Sequence, residues 1–136
     1  MASESFPRGS SHGLYVMSLS VHGLVRGFDI ELGRDADTGG QVTYVLDQAK
    51  VLARQPEVEL VEVVTRQVWD KRVDDSYAEP REELADGARI VRLPFGPRRY
   101  LRKETLWPYL PSLVDQIMRL VRKRGRAPDQ IGRAHV

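Results

Sequence analysis

RDADTGGQ, at Arg34–Gln41, is the stretch that decides the fold of this chain. The apolar run Leu14–Val21 precedes it and has the length and composition of a strand buried on both faces of a parallel sheet. Apolar residues at helical spacing follow it, from Val42 to Ala53. Glycines between a strand and a helix N-terminus let backbone N–H groups approach a ligand closely, so the stretch predicts an anion-binding loop.

Two more strands and one more helix are predicted downstream. The strands run from Val58 or Leu60 to Thr65 and from Ala88 to Phe95. The helix runs from Leu106 or Trp107 to Arg124 and ends at Gly125. The charged segment 66–86 is predicted to be a surface excursion with room for a short helix. This alternation predicts an α/β fold with a Rossmann-like, doubly wound parallel sheet and right-handed crossovers.

Length and composition limit the class of protein. A chain of 136 residues builds one domain with a modest core. No apolar run approaches the roughly 20 residues of a membrane span, and the N-terminus lacks the apolar part of a secretory signal. Cysteine is absent, which suits the cytoplasm, the expected location. The 21 basic and 19 acidic residues are interspersed, so we expect neither a nucleic-acid nor a membrane partner.

Five blocks, in order along the chain, resemble the N-terminal domain of sucrose-phosphate synthases, which are retaining glycosyltransferases of the two-domain GT-B architecture. The blocks are the loop region Val21–Gln41, then Val64–Val68, Ser76–Pro80, Arg89–Arg98 and Lys103–Tyr109. The loop region contains VHGLVRG, ELGRD and DTGGQ. One such block could arise by chance, whereas five in order identify a family.

Three alternatives compete with this resemblance. Sucrose synthases share Asp37–Gln41 and a Trp-Pro-Tyr-Leu element, but Arg26-Gly27, Glu31–Asp35 and Lys103-Glu104 look more like the phosphate-using enzyme. A dinucleotide-binding domain needs G-x-G-x-x-G and an acidic residue ending the second strand, where this chain has Thr65-Arg66. A non-catalytic module that binds sugar phosphates stays open.

The resemblance implies transfer of glucose from UDP-glucose to fructose 6-phosphate, which yields sucrose 6-phosphate and UDP. In this family the N-terminal domain receives the acceptor, and the C-terminal domain holds most of the nucleotide sugar. No cofactor is expected besides UDP-glucose as donor substrate. The expected partners are a sugar phosphate, a nucleotide sugar and the missing C-terminal GT-B domain. Without that domain, the fragment is expected to be inactive.

The resemblance also implies which residues bind substrate. The amides of Gly39 and Gly40 and the side chain of Gln41 are expected to donate hydrogen bonds to sugar or phosphate oxygens. Gly40 is also expected to need a positive φ angle. Lys103 is expected to bind the phosphate of fructose 6-phosphate. His22 follows the first strand directly, and from that position it is expected to line the cleft, with a structural role as the alternative. No catalytic residue is assigned.

A metal site is not expected, although the loop contains two carboxylates at a spacing that some metal sites use. Asp35 and Asp37 imitate the metal-binding D-x-D of the other glycosyltransferase architecture. The resembled architecture needs no metal, and the D-x-D interpretation conflicts with the glycine loop. We therefore expect no metal ion at this loop.

The chain divides into three expected parts. Residues 1–13 are expected to form a disordered N-terminal segment, and residues 14–130 the incomplete acceptor-side domain. Residues 131–136, IGRAHV, do not match the resembled family and equal one reading frame of a widely used sequencing-library adapter before a stop codon. We therefore expect a non-native tail on a truncated reading frame, which re-amplification of the gene would test.

Overall fold

The computed structural model describes residues 13–28 and 40–133. Residues 29–39, which contain Gly39 and the Asp35/Asp37 pair, lie outside the described residues, as do residues 1–12 and 134–136. The strands are β1 (Leu14–Leu19), β2 (Val58–Arg66), β3 (Arg81–Ala85), β4 (Ala88–Leu93) and β5 (Gln130–Arg133). The helices are α1 (Gly40–Ala53) and α2 (Leu110–Arg124).

The strands form one sheet in the order β3-β4-β2-β1-β5. The pairs β1–β2, β1–β5 and β2–β4 are parallel, and β3 pairs antiparallel with β4. Parallel neighbours require crossover connections. Helix α1 lies in the connection from β1 to β2 and α2 in the connection from β4 to β5, whereas the chain from β2 to β4 passes through the 3-10 turn Asp75–Ala78 and β3. The predicted α/β class and its largely parallel sheet are confirmed.

The two helices cover opposite faces of the sheet. Alternate residues of a strand project to opposite faces, so each strand contributes to two apolar clusters. The cluster on the α1 face joins helix residues to sheet residues: Val42, Val45, Leu46, Ala49, Val61, Val63 and Ile90. The cluster on the α2 face is built likewise: Leu113, Leu120, Tyr15, Met17, Val64, Val91 and Leu93. The doubly wound arrangement is therefore confirmed.

Strand β3 was not predicted, because its segment was interpreted as a surface excursion. REELA is charged and half-exposed, as edge strands often are, so it lacks the apolar signal of a central strand. The turn to β4 contains Gly87, whose φ of 78° favours glycine. The short helix allowed in this segment is present as a 3-10 turn at Asp75–Ala78.

Helix α2 begins later than predicted, at Leu110. Two 3-10 turns, Lys103–Thr105 and Trp107–Tyr109, occupy the segment before it. Pro111 sits in the first turn of α2, where its missing N–H breaks no helical hydrogen bond. The predicted end is confirmed, because Gly125 adopts a left-handed φ of 73° and its N–H bonds back to the last turn.

Strand β5 includes residues on both sides of the expected boundary at 130/131. Ile131–Arg133 pairs in parallel with Met17–Leu19 through backbone groups. Strand pairing through the backbone requires little of the side chains, so the presence of this strand does not test whether residues 131–136 are native. Their non-native origin stays a prediction. At the other end of the domain, the carbonyl of Gly13 accepts a hydrogen bond of 2.6 Å from Arg126.

A buried carboxylate ties α2 to the sheet. Glu62 of β2 is fully buried and accepts hydrogen bonds from Arg89 of β4 at 2.9 Å and from Arg124 of α2 at 2.7 Å. The hydroxyl of Tyr15 donates to its other oxygen. Burial, followed by the charge of Glu62, raises the pKa of Tyr15. Glu62 thus joins three secondary-structure elements on the α2 face.

Candidate functional site

The carboxyl ends of β1, β2 and β4 and the N-terminus of α1 meet at one edge of the sheet. In open α/β sheets this edge is where ligands bind, because the loops leaving adjacent strands create a crevice there. Chain segments leave β1 after Leu19, β2 after Arg66 and β4 after Leu93. All four predicted site residues that the structure describes lie on segments that leave these strands or begin α1.

His22 and Gln41 are brought together at this edge. The side-chain Nε2 of Gln41 lies 3.4 Å from Nδ1 of His22, in a half-buried position. An amide nitrogen only donates, so a hydrogen bond here requires Nδ1 as acceptor and the imidazole proton on Nε2. The contact therefore restricts the orientation of the Gln41 amide against the His22 ring.

Gly40 is the first residue of α1. The expectation that it needs a positive φ is wrong, because the described glycines with positive φ are Gly23, Gly87, Gly96 and Gly125. A Cβ built on Gly40 meets no atom within 4 Å. A side chain at this position is therefore compatible with the fold, and close approach of a ligand to Gly40 stays a prediction.

The segment that follows β1 is held by Arg26, which the sequence interpretation treated only as part of a family block. Its Nη1 donates to Asp74 at 3.2 Å and to Ser76 at 2.9 Å. The guanidinium also lies 4.9 Å from the ring centre of Phe28 and 4.8 Å from that of Tyr77. Hydrogen bonds from Ser76 lower the pKa of Asp74, which keeps this carboxylate charged.

Glu82 of β3 adds a second anchor to the same segment. One of its carboxylate oxygens accepts from the backbone N–H of Gly27 at 2.8 Å, and the other accepts from Arg92 at 2.7 Å. Arg92 also donates to the carbonyl of Val25 at 2.8 Å. The unpredicted strand β3 therefore helps to position the segment that carries His22.

Lys103 is exposed and begins the first 3-10 turn before α2. The loop that leads to it from β4 is fixed by Arg66, at the end of β2. Arg66 is buried and donates to the carbonyls of Pro97 at 2.6 Å and Arg99 at 2.8 Å. Burial lowers the pKa of Arg66. Sequence inspection missed this role, because the carbonyl partners are 31 and 33 residues away.

The same loop is held at two further points by residues that follow β2. The N–H of Trp69 donates to the carbonyl of Arg98 at 2.6 Å, and Asp70 accepts from the N–H of Tyr100 at 3.0 Å. The N–H of Arg72 and that of Tyr100 together lower the pKa of Asp70 to about 2. The guanidinium of Arg98 lies 5.2 Å from the Trp69 ring centre. The basic loop is therefore a fixed surface.

The predicted site residues occupy two places along the edge. His22, Gly40 and Gln41 lie where β1 ends and α1 begins, whereas Lys103 lies on the chain that leaves β4. Strand β2 separates β1 from β4. Adjacent strands are about 4.8 Å apart, so these two strand ends are separated by about 10 Å.

Neither a metal site nor a membrane-spanning helix is found among residues 13–28 and 40–133. No group of three or more His, Asp or Glu side chains there could hold a metal ion. Within the same ranges, neither helix has the length and apolar character needed to cross a membrane.

The chain was compared with known proteins. No family model matches it. Its alignment with a probable sucrose-phosphate synthase of Vicia faba shows 46% identity over 138 positions. This alignment covers 90% of this chain and 13% of that protein. The alignment with the sucrose-phosphate synthase of Spinacia oleracea shows 44% identity over 135 positions. It covers 88% of this chain and 13% of the relative. The chain thus spans a small part of these relatives.

A solved structure has the same fold. The sucrose-phosphate synthase of Thermosynechococcus elongatus superposes with a TM-score of 0.61 and 28% sequence identity. The match covers 83% of this chain and 25% of that chain. Fold and sequence comparisons therefore agree on one family.

Proposed function

We propose that this chain, which belongs to the sucrose-phosphate synthase family over the segment it spans, is the acceptor-binding part of a glycosyltransferase that joins glucose from UDP-glucose to fructose 6-phosphate. The observation that carries the proposal is the 43–53% identity to curated sucrose-phosphate synthases over 75–90% of the chain. The products would be sucrose 6-phosphate and UDP. Sucrose synthase-like transfer and a non-catalytic sugar-phosphate module are the alternatives.

The N-terminus of α1 would supply hydrogen-bond donors to the sugar substrates. The first N–H groups of a helix have no partner within the helix, and the helix dipole favours negative charge there. In our proposal, the amides of Gly39 and Gly40 donate to substrate oxygens, and Gln41 donates from its side chain. The 3.4 Å contact with His22 supports this role for Gln41, because it restricts the amide before substrate arrives.

Lys103 would bind the phosphate of the acceptor. An ammonium group forms charge-assisted hydrogen bonds with phosphate oxygens, and these bonds are stronger than those between neutral groups. The hydrogen bonds from Arg66 and Trp69 to the preceding loop support the assignment, because they define the course of the chain toward Lys103. The competing interpretation is an exposed lysine in a basic loop that binds nothing specific.

Activity would require more protein than these 136 residues. Transfer in the proposed mechanism takes place in a cleft between two domains, and the leaving diphosphate needs charge stabilisation from the donor side. We therefore propose that the chain alone binds acceptor weakly and catalyses no transfer.

A chimera tests the proposed function. Residues 14–130 would replace the matching segment of the Spinacia oleracea enzyme, and sucrose 6-phosphate formation would be measured with UDP-glucose and fructose 6-phosphate. We expect activity from the chimera and none from the chain alone. A folded chimera that binds fructose 6-phosphate without transferring glucose would favour the non-catalytic module. Transfer to fructose but not to fructose 6-phosphate would favour the sucrose synthase-like alternative.

A further inference from the structure

Four buried side-chain atoms in the described part of the chain make no hydrogen bond to another protein group. They are Ser20 Oγ, Thr43 Oγ1, Thr65 Oγ1 and Arg92 Nε. Ser20, Thr65 and Arg92 are each at most 2% exposed. Most buried polar groups in folded proteins are hydrogen-bonded, so a concentration of exceptions points to an additional partner.

Three of these atoms belong to one row across the sheet. The N–H of Ser20 donates to the carbonyl of Val64 at 2.8 Å, which places Ser20 beside the end of β2. Thr65 is the direct partner of Arg92 in the β2–β4 pairing. Ser20, Thr65 and Arg92 therefore occupy consecutive strands at the carboxyl edge.

The row projects toward α1. Val61 and Val63 of β2 pack in the cluster on the α1 face, so Thr65 continues that series. Ile90 of β4 packs in the same cluster, so Arg92 has the same orientation. The hydrogen bond from Arg92 to the carbonyl of Val25, a residue of this cluster, agrees with that placement. Val16 of β1 also packs against this cluster, so Ser20, an even number of residues further along, projects the same way, and the three side chains share one face.

We propose that the row Ser20–Thr65–Arg92 is an internal water site that joins the central strands to the segment following β1. Arg92 Nε can only donate, whereas each hydroxyl can donate and accept. One water can accept from Arg92 Nε and donate to Thr65 Oγ1, and a second can bridge Thr65 Oγ1 and Ser20 Oγ, so each water has at least two polar partners, as a buried water requires. Two hydrogen bonds of about 2.8 Å span the distance of about 4.8 Å between adjacent strands.

The water site extends an anchor that is already present. Arg92 binds the carbonyl of Val25 and the carboxylate of Glu82, which also holds Gly27. A water bound to Nε would use the one nitrogen of Arg92 that has no protein partner. The segment carrying His22 would then be connected to β1 and β2 as well as to β4.

The substitution Thr65→Val tests the proposal, because the melting temperature should change in opposite directions for a row that binds water and for a row that does not. Valine keeps the shape of threonine and removes only the hydroxyl. If Thr65 binds water, the melting temperature of the chain should fall by about 3–6 °C, because each bridging water loses the Thr65 hydroxyl as a partner. If the row is dry, the temperature should rise, because an unpaired buried hydroxyl has been removed.

Thr43→Val is the matched control, because Thr43 Oγ1 is also buried and unpaired but lies outside the row. Its melting temperature should not fall, and an equal fall in both variants would contradict the proposal. A high-resolution crystal structure of the unsubstituted chain tests directly, without any substitution, whether water is bound at this row. Density for a water that bonds Thr65 Oγ1 together with Arg92 Nε or Ser20 Oγ would support the proposal, and a direct Ser20–Thr65 hydrogen bond without water would overturn it.

Discussion

Gln41 Nε2 lies 3.4 Å from His22 Nδ1, a contact between residues 19 positions apart on the two sides of the connection from β1 to α1. This contact joins the two sides of the strand-to-helix connection at the edge where α/β proteins bind ligands. It also gives each side chain a defined orientation, which an isolated histidine or glutamine on a loop would lack. The contact leads directly to a prediction about acceptor binding.

Gln41→Ala in the active chimera should raise the Michaelis constant for fructose 6-phosphate about 2- to 10-fold, because one hydrogen-bonding side chain is lost. His22→Ala should give part of this effect, since it frees the Gln41 amide. The double variant should therefore be less impaired than the product of the two single effects. Strictly multiplicative effects in steady-state kinetics would show that the two residues act separately.

Gly40→Val should leave folding intact and lower activity. A Cβ at this position has open space in the fold, and its φ is not positive, so unfolding should occur at nearly the same temperature. If a substrate approaches the backbone here, the valine side chain should reduce kcat/KM at least about 10-fold by steric exclusion. Tyr44→Val, an exposed substitution on the same helix, is the control and should retain activity. Normal turnover of Gly40→Val would refute close approach.

Glu62→Gln should destabilise the chain by about 3–5 kcal/mol in denaturant unfolding, because Arg89 and Arg124 would keep their buried charges without the carboxylate. Glu83→Gln, on the exposed side of edge strand β3, should change stability by less than about 0.5 kcal/mol. A similar small change at both positions would mean that the buried cluster contributes little to folding.

Asp70 should make stability depend on pH in the acid range. Its pKa is lowered from 3.8 to about 2 in the folded chain, so the contribution of its carboxylate is complete above about pH 5 and is lost as the pH falls through 3.8 toward 2. The melting-temperature difference between the unsubstituted chain and Asp70→Asn should therefore be constant from pH 7 to about 5 and should shrink below pH 4. Asp47→Asn, on α1, controls for net charge. A difference that does not change between pH 7 and pH 2 would contradict the assignment.

The sequence was sufficient for elements whose residues form a continuous local pattern. The apolar runs of β1 and β2 and the helical stripe of α2 are of this kind, because buried strands and amphipathic helices show their periodicity directly. Charged β3 gave no such signal, since an edge strand is specified by its neighbour β4. Long apolar strands therefore predicted the sheet, but not its edge.

The site was less accessible to sequence reasoning. Contact between His22 and Gln41 could be anticipated from the strand-loop-helix order, because both flank one connection. The role of Arg66 could not, since its partners are backbone carbonyls on a distant loop and carry no residue signature. Arg26 likewise binds Asp74 and Ser76, 48 and 50 residues away. Substrate binding by Gly39, Gly40, Gln41, His22 and Lys103 stays a prediction.

The most direct test of the account is the acceptor preference of the chimera with and without Lys103. The value of kcat/KM would be measured for fructose 6-phosphate and for fructose in the unsubstituted chimera, in Lys103→Ala and in Arg102→Ala, whose exposed cation is the neighbouring control. We predict that Lys103→Ala raises the Michaelis constant for fructose 6-phosphate about 10- to 100-fold and narrows its advantage over fructose, with UDP-glucose binding and the Arg102→Ala preference nearly unchanged. An unchanged preference for the phosphorylated sugar in Lys103→Ala would contradict Lys103 as the phosphate ligand, and a chimera that never prefers fructose 6-phosphate would contradict the proposed function itself.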